Sequence, residues 1–375
     1  MKYLAIFLLT FTTVMLTGCW GSKELRDVGI VSGIGIDKGV DLGFDVTAQT
    51  IKTGSPNNDS PSTAIVHTTH GDTVFEAIRN FIIEAKKKEI HQHIDSLIIG
   101  KAAAEDGVTP AFDFFLRDHE PRFNMSVFLA EGNAKEILEI ENTKLFDIPA
   151  RSMRKSLVEQ KELSKAPYVE LHNFYQRLIE PYQDPYMPII HKRDNDFENY
   201  GTAIFKGDKL VGELNAAETR GMLRVQGELR GGIQVIHLPL SEEEIVNVSI
   251  EIKDSKTSIT NFLKEGQPVI EILIQETGFI GETSSDVPLT NENIKKINQL
   301  YEKTIKKEVK DTVDKIQKDL KANTFDFAEI IRRKENNYWK KHKEQWEEIY
   351  PSLKVVVNVS TDLPANGLLN YEGGR

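Results

Sequence analysis

The chain has 375 residues, a formal net charge of −10 at pH 7 and a single cysteine, Cys19. Net acidity without a basic block argues against a nucleic-acid partner, whose binding depends on neutralising phosphates, and against electrostatic docking to a membrane. One cysteine excludes an internal disulfide and a metal site with several thiolate ligands.

The N-terminus has the pattern of a lipoprotein signal peptide. Lys2 is followed by an apolar stretch over 3–16, shorter than the roughly 20 residues that a membrane-spanning helix needs. Leu16-Thr17-Gly18-Cys19 then fits the lipobox, in which a branched apolar residue and two small residues precede the cysteine. We therefore predict a signal peptide over 1–18, S-diacylglycerol and N-acyl modification of Cys19, and a lipidated tether over 19–27.

An uncleaved signal anchor is the alternative, and the position of Cys19 as the only cysteine argues against it. No second hydrophobic run reaches spanning length, so the lipid on Cys19 is the expected attachment to the outer face of the membrane. Two or more acyl chains would make that attachment stable.

Residues 28–195 are predicted to form an N-terminal α/β domain, because segments with strand patterning alternate with segments of helical periodicity. The predicted elements are a hairpin over 28–52, a helix from Asp72, a strand over 95–100, a helix over 109–117, a strand over 125–130 and helices over 133–140 and 150–180.

The proline-rich stretch 181–188 interrupts the helical pattern, so we place a domain boundary near 190–200. A C-terminal α/β domain over 198–375 follows, with a further division near 232 as the alternative. Its predicted elements are a hairpin over 202–212, a helix over 216–225, strands over 233–238, 245–253, 269–276 and 354–359, and a long helix from Thr290 to about 320. The fold class is therefore α+β, with two to three small mixed domains, largely antiparallel sheets and a long helix near the C-terminus.

Two groups of residues have side chains that could bind a metal ion or act in general acid–base catalysis. His91, His93 and Asp95 would share one face of an extended strand and could reach one metal ion. Arg117-Asp118-His119-Glu120 places a cation, a base and acids together, although helix ends collect such groups for capping. Solvated or capping roles are favoured for both groups, so we predict no catalytic residue, no metal and no cofactor.

Aromatic residues near the C-terminus, Tyr338, Trp339 and Trp346, have two interpretations. Packing in the core is favoured, and an exposed surface for a partner is the alternative.

Several motifs together resemble a known family. They are Gly18-Cys19-Trp20, Glu24-Leu25, Ile34-Gly35-Ile36-Asp37, Phe114-Phe115-Leu116-Arg117-Asp118, the stretch from Tyr200 to Gly212 (YGTAIFKGDKLVG), and Glu218-Thr219-Arg220-Gly221. This set resembles the Ger(x)C family, the C-subunit lipoproteins of bacterial spore nutrient germinant receptors. The chain departs from the family at Gly21, where an acidic residue is common, and in the tail after Asp362.

The resemblance implies a role without catalysis. Such a subunit works with integral membrane subunits in nutrient-triggered spore germination, held by its lipid on the outer face of the spore's inner membrane. The family fold is a set of small mixed α/β domains, and the only functional residue carried over is Cys19. The alternatives are a solute-binding lipoprotein of a membrane importer, which usually has two similar lobes with parallel sheets, and a lipid-anchored hydrolase, for which no nucleophile or metal motif is present.

Overall fold

The computed structural model shows a mixed α/β fold with two β-sheets, and this confirms the predicted α+β class. It describes residues 2–3, 28–52, 63–85, 88–140, 148–241, 244–285 and 287–364.

The first sheet has nine strands, with parallel pairs at its centre and antiparallel pairs at both sides. The strand order is β3-β2-β1-β5-β6-β7-β8-β9, and β4 also pairs with β1. Parallel pairing joins β1 to β4 and β5, β5 to β6, and β6 to β7, so this sheet is less antiparallel than the sequence suggested. The strands are β1 (Val28–Lys38), β2 (Phe44–Lys52), β3 (Thr63–Gly71), β4 (Lys88–Ile90), β5 (Ser96–Gly100), β6 (Ser126–Ala130), β7 (Tyr186–Arg193), β8 (Asp196–Lys206) and β9 (Lys209–Leu214).

Among the described residues, six helices pack on the first sheet. Val74, Ala77, Ile78 and Phe81 form the buried stripe of the first of these helices, as predicted, whereas Ile82 was expected on that stripe and is half exposed. The six helices are α1 (Val74–Ala85), α2 (Lys101–Asp106), α3 (Thr109–Arg117), α4 (Ala134–Leu138), α5 (Pro149–Glu159) and α6 (Leu171–Ile179).

The predicted boundary near 190–200 falls on the β7–β8 hairpin, inside the first sheet. The strand β7 was missed, because two prolines near its start made that stretch look like a linker. The two sheets part later, between Leu214 and Ile233, where helix α7 (Ala216–Gln226) lies. The division into domains over 28–195 and 198–375 stays a prediction, with residues of the second half completing the first sheet.

The second sheet has the order β10-β11-β12-β13 and is built on one long hairpin. That hairpin joins β11 (Ile245–Lys264) to β12 (Gln267–Thr283), which run well beyond the predicted 245–253 and 269–276. The edge strands are β10 (Ile233–Pro239), antiparallel to β11, and β13 (Lys354–Asp362), parallel to β12.

The long helix α8 (Asn291–Asp314) packs along the second sheet, against β10 and β13. Thr290 caps it, its side chain accepting a hydrogen bond from the backbone N–H of Asn293 at 3.2 Å, and the predicted apolar stripe is buried. A π-helical turn over 315–319 ends this run. Three short helices precede β13: α9 (Phe327–Lys334), α10 (Asn336–His342) and α11 (Trp346–Ile349).

One hydrophobic core runs through both sheets, from Val31 on β1 to Leu363 after β13. A second, smaller core lies under α4 and α5 on the other face of the first sheet. Because the larger core is shared, packing couples the two sheets directly.

Candidate functional site

The predicted lipidation site, Cys19, and its tether over 19–27 lie outside the described residues. Strand β1 begins at Val28, the residue that follows the predicted tether in the sequence. Within the described residues, no helix combines the length and the apolar composition that crossing a membrane requires.

The structure separates His91 and His93, the two histidines of the metal arrangement that the sequence did not favour. His91 is buried, with Nδ1 at 3.6 Å from Glu120 Oε2, whereas His93 is exposed in a turn. Burial lowers the pKa of His91, despite the neighbouring carboxylates. The expectation of a shared face was wrong, because residues 91–95 do not form an extended strand. The favoured role as solvated polar side chains fits His93 and is wrong for His91, which is 5% exposed because it packs beside Phe114. Among the described residues, no three His, Cys, Asp or Glu side chains are grouped to hold a metal.

The side chains of Arg117-Asp118-His119-Glu120 also diverge. Arg117 Nε donates to Asp113 at 2.7 Å, and Asp118 accepts the backbone N–H of Glu120 at 2.9 Å. His119 is 94% exposed and lies 3.6 Å from Asp118. These contacts stabilise the end of α3 and the turn after it, which is the capping role that the sequence favoured.

The glycines of β1 allow two helices to approach the first sheet. A Cβ at Gly33 would lie 2.6 Å from the Cβ of Ala150 on α5, and one at Gly35 would lie 3.0 Å from the Cβ of Ala134 on α4. Asp37 accepts the first backbone N–H groups of α4, from Ala134 at 2.7 Å and Lys135 at 2.9 Å. The two glycines therefore allow close packing of the backbone, and Asp37 caps α4.

The motif Glu218-Thr219-Arg220-Gly221 lies on α7, where this helix crosses α8. A Cβ at Gly221 would lie 2.5 Å from Thr312 Oγ1, so only glycine lets the helices approach this closely. Arg220 clamps the crossing by donating to both carboxylate oxygens of Glu308, at 3.0 and 2.7 Å. Thr219 shares a 2.8 Å hydrogen bond with Thr202 on β8, which ties α7 to the first sheet.

One turn further along α7, the fully buried Arg224 forms a charge network with a buried and a partly buried carboxylate. Its Nε and Nη2 contact Glu276 on β12 at 2.9 and 3.0 Å, and Nη1 contacts Glu308 on α8 at 2.6 Å. The Tyr301 hydroxyl donates to Glu276. Burial alone disfavours the charged guanidinium, but Glu276 and Glu308 outweigh it and raise the pKa of Arg224. Burial, with Glu276 beside it, also raises the pKa of Tyr301.

Asp184 holds the turn between β8 and β9 against the C-terminal segment. Its carboxylate accepts the backbone N–H of Gly207 at 2.6 Å and that of Asn323 at 2.6 Å. Gly207 occupies this turn with φ +59°, the left-handed region that favours glycine. No local pattern in the sequence marks Asp184, Glu276 or Glu308, since their partners are distant along the chain.

The C-terminal aromatic residues belong to the core. Trp346 is 1% exposed and Trp339 is 5% exposed, with ring centroids 5.3 Å apart. The Trp346 indole N–H donates to Asn323 at 2.8 Å. This confirms core packing rather than an exposed aromatic surface.

The chain matches two models of one family. The model described as "Spore germination protein N-terminal domain" matches residues 21–192, and the one described as "Spore germination B3/GerAC like, C-terminal" matches residues 200–367. The split between them coincides with the β7–β8 hairpin.

Alignments with related proteins extend over nearly the whole chain. Spore germination protein B3 of Bacillus subtilis (strain 168) is 25% identical over 93% of this chain and 94% of its own. The putative spore germination protein YfkR of the same organism is 28% identical over 95% of this chain and 94% of its own. A crystal structure of the GerBC protein shares the fold, with a TM-score of 0.57 and 20% identity over 88% of this chain and 96% of that chain. The chain therefore belongs to the Ger(x)C family of spore germination proteins.

Proposed function

We propose that this protein is the lipid-anchored, non-enzymatic subunit of a spore germinant receptor, acting with integral membrane subunits in nutrient-triggered germination. The observation that carries this proposal is the extent of the family match, which begins at residue 21, directly after the lipobox, and continues to residue 367. The relatives that align with 93% and 95% of this chain are both named as spore germination proteins.

The anchor would be the acylated Cys19, on the outer face of the cell membrane that becomes the spore's inner membrane. From Cys19 to Val28 the tether can extend at most about 35 Å. A body held that close to membrane subunits is at a high effective concentration for them, so weak contacts would suffice for assembly.

A role without catalysis is supported by what the candidate residues do. The acid, base and cation of residues 117–120 stabilise a helix end, and the buried charges of Arg224, Glu276 and Glu308 cross-link three elements. Arg117, Asp118, Arg224, Glu276 and Glu308 each make a hydrogen bond or ion pair that holds the fold together.

The importer alternative finds little support in the fold. A solute-binding lipoprotein usually closes two similar lobes with parallel sheets over its ligand. Here the second sheet is built on one antiparallel hairpin, and the larger core is continuous between the sheets.

The test is a deletion strain complemented with three versions of the gene: wild type, Cys19→Ala, and a wild type with a flexible Gly/Ser insert between Cys19 and Val28. Membrane fractionation, mass spectrometry of the N-terminal peptide and spore germination on single nutrients are measured. We expect Cys19→Ala to lose the lipid and impair germination, and the long tether to weaken germination while the body melts at the same temperature as wild type.

Two results would contradict the proposal. An unmodified thiol at Cys19 in the native protein would exclude the anchor. Normal germination of the deletion strain on every nutrient, with defective uptake of one solute, would favour the importer alternative.

A further inference from the structure

A cleft lined by arginines lies at the end of the first sheet where β1 begins. The strands β1, β5 and β6 are parallel, with Gly33, Ser96 and Ser126 side by side. The segments 92–95 and 122–124, which lead into β5 and β6, therefore meet at that end. With the start of α5 they enclose a cavity of about 190 Å³, which we call the arginine cleft.

Helix α5 is fixed at this position. Ser96 Oγ donates to the backbone carbonyl of Ala150 at 2.7 Å, which holds the start of the helix against β5. Arg151 Nε then lies 3.4 Å from Asp95 Oδ2, and Arg154 Nη1 lies 3.7 Å from Asp95 Oδ1. Both distances exceed the roughly 2.7–2.9 Å of a charge-assisted hydrogen bond, so Asp95 orients the guanidinium groups without engaging either in a tight pair.

Arg122 lines the cleft from the segment that leads into β6. It is exposed, and within the described residues no carboxylate is paired with it. Three guanidinium groups and one carboxylate, Asp95, line the cleft, and His93 and Asn124 add further polar groups. A second carboxylate, Glu170, lies outside the lining with Oε1 at 3.5 Å from Arg154 Nη2, so the guanidinium groups still exceed the nearby carboxylates by one. This is a local excess of positive charge on a protein with a net charge of −10.

We propose that the arginine cleft binds a phosphate group, free or carried by an anionic phospholipid headgroup. The planar fork of a guanidinium matches two phosphate oxygens at once, and several such groups around one small cavity suit a single phosphate better than a larger ligand. A headgroup phosphate would orient the body on the membrane.

The lipid source rests on the proposed anchor at Cys19. Val28 stands five residues before Gly33 on β1, which is about 17 Å along the strand. The tether adds at most about 35 Å. It is therefore long enough for the body to tilt and bring the cleft to the headgroups.

The test is modification of arginines by phenylglyoxal in the purified full-length lipoprotein, mapped by mass spectrometry. One arm adds inorganic phosphate to the protein in neutral detergent. The other compares protein in nanodiscs of phosphatidylcholine alone with protein in nanodiscs that contain phosphatidylglycerol. Arg117, 79% exposed and away from the cleft, is the internal control, and Arg122→Gln is the matched variant.

We expect loss of most of the labelling at Arg122 and Arg151, with Arg117 unchanged. Protection by phosphatidylglycerol discs and not by phosphate identifies the lipid headgroup, whereas protection in the detergent arm shows that free phosphate suffices. In either case Arg122→Gln should restore labelling of Arg151. Unchanged labelling in every arm, or equal protection in both kinds of disc without protection by phosphate, would overturn the proposal. Failure of the lipoprotein to enter the discs would instead count against the anchor, and the phosphate arm would still decide on the cleft.

Discussion

Replacing Arg224 with methionine should destabilise the body strongly. Methionine occupies a similar length of side chain, so the main loss is the charge and its hydrogen bonds. Glu276, which is 1% exposed, would keep Tyr301 as a donor and lose both contacts with the guanidinium. Glu308 would keep Arg220 and lose its 2.6 Å contact with Arg224.

The magnitude follows from leaving a buried carboxylate without its counter-ion. Removing one partner of a buried ion pair costs about 3–5 kcal/mol, most of it from the uncompensated charge. With a urea m-value of about 3 kcal/mol/M, the midpoint of unfolding should fall by about 1 M or more. Changing Glu276 to glutamine in the same chain removes that charge and should recover much of the loss.

Urea unfolding followed by circular dichroism measures these midpoints. The control is Arg332→Met on α9, whose ion pair with Glu329 is exposed to solvent and should leave the midpoint unchanged. If Arg224→Met shifted the midpoint no more than this control does, the buried network would not hold the second sheet to α7 and α8. If the double variant were no more stable than Arg224→Met, lost packing rather than the buried charge would be the cause.

Three further predictions concern the same fold. Gly221→Val should cost about 1–3 kcal/mol by forcing α7 away from α8, whereas Gly132→Ala, where a Cβ has open space, should not change the urea midpoint. Asp37→Ala should cost about 0.5–2 kcal/mol by uncapping α4, and an unchanged midpoint would contradict the capping role. Burial lowers the pKa of His91 in the folded state below the ordinary 6.5, so the unfolded chain takes up the proton first and stability should fall as the pH drops below about 6.5. His91→Gln should flatten that decline and the exposed His119→Gln should not; equal slopes for both variants would exclude His91 as the source.

The sequence predicted elements well where local pattern and burial agree. The stripe of α8 and its cap at Thr290 follow from spacing and capping chemistry alone, and both are present. The β1–β2 hairpin is likewise where alternation and turn residues place it. Strand β7 was missed because its residues read locally as a break, and only pairing with β6 and β8 makes them a strand.

The motifs that carry the family resemblance are explained by packing. Gly35 and Gly221 stand where a helix approaches its neighbouring element closely, and Asp37 and Arg220 hold those contacts. Such residues predict the fold because the close contacts between its elements require them. They say little about a ligand, since their side chains are already engaged inside the body.

The arginine cleft could not be predicted from the sequence, because its arginines come together only in the folded protein. Arg122 precedes β6 and Arg151 lies on α5, and both line one cavity because α5 is held beside the start of β5, next to the start of β6. The net charge of −10 would predict no anion-binding site, because it is summed over the whole chain and does not show a local group of positive charges. Charges on the far side of the body are screened over a Debye length of about 8 Å at physiological salt. Net acidity therefore argues against binding of an extended polyanion, which needs many phosphate contacts at once. It does not argue against binding of a single phosphate beside three guanidinium groups.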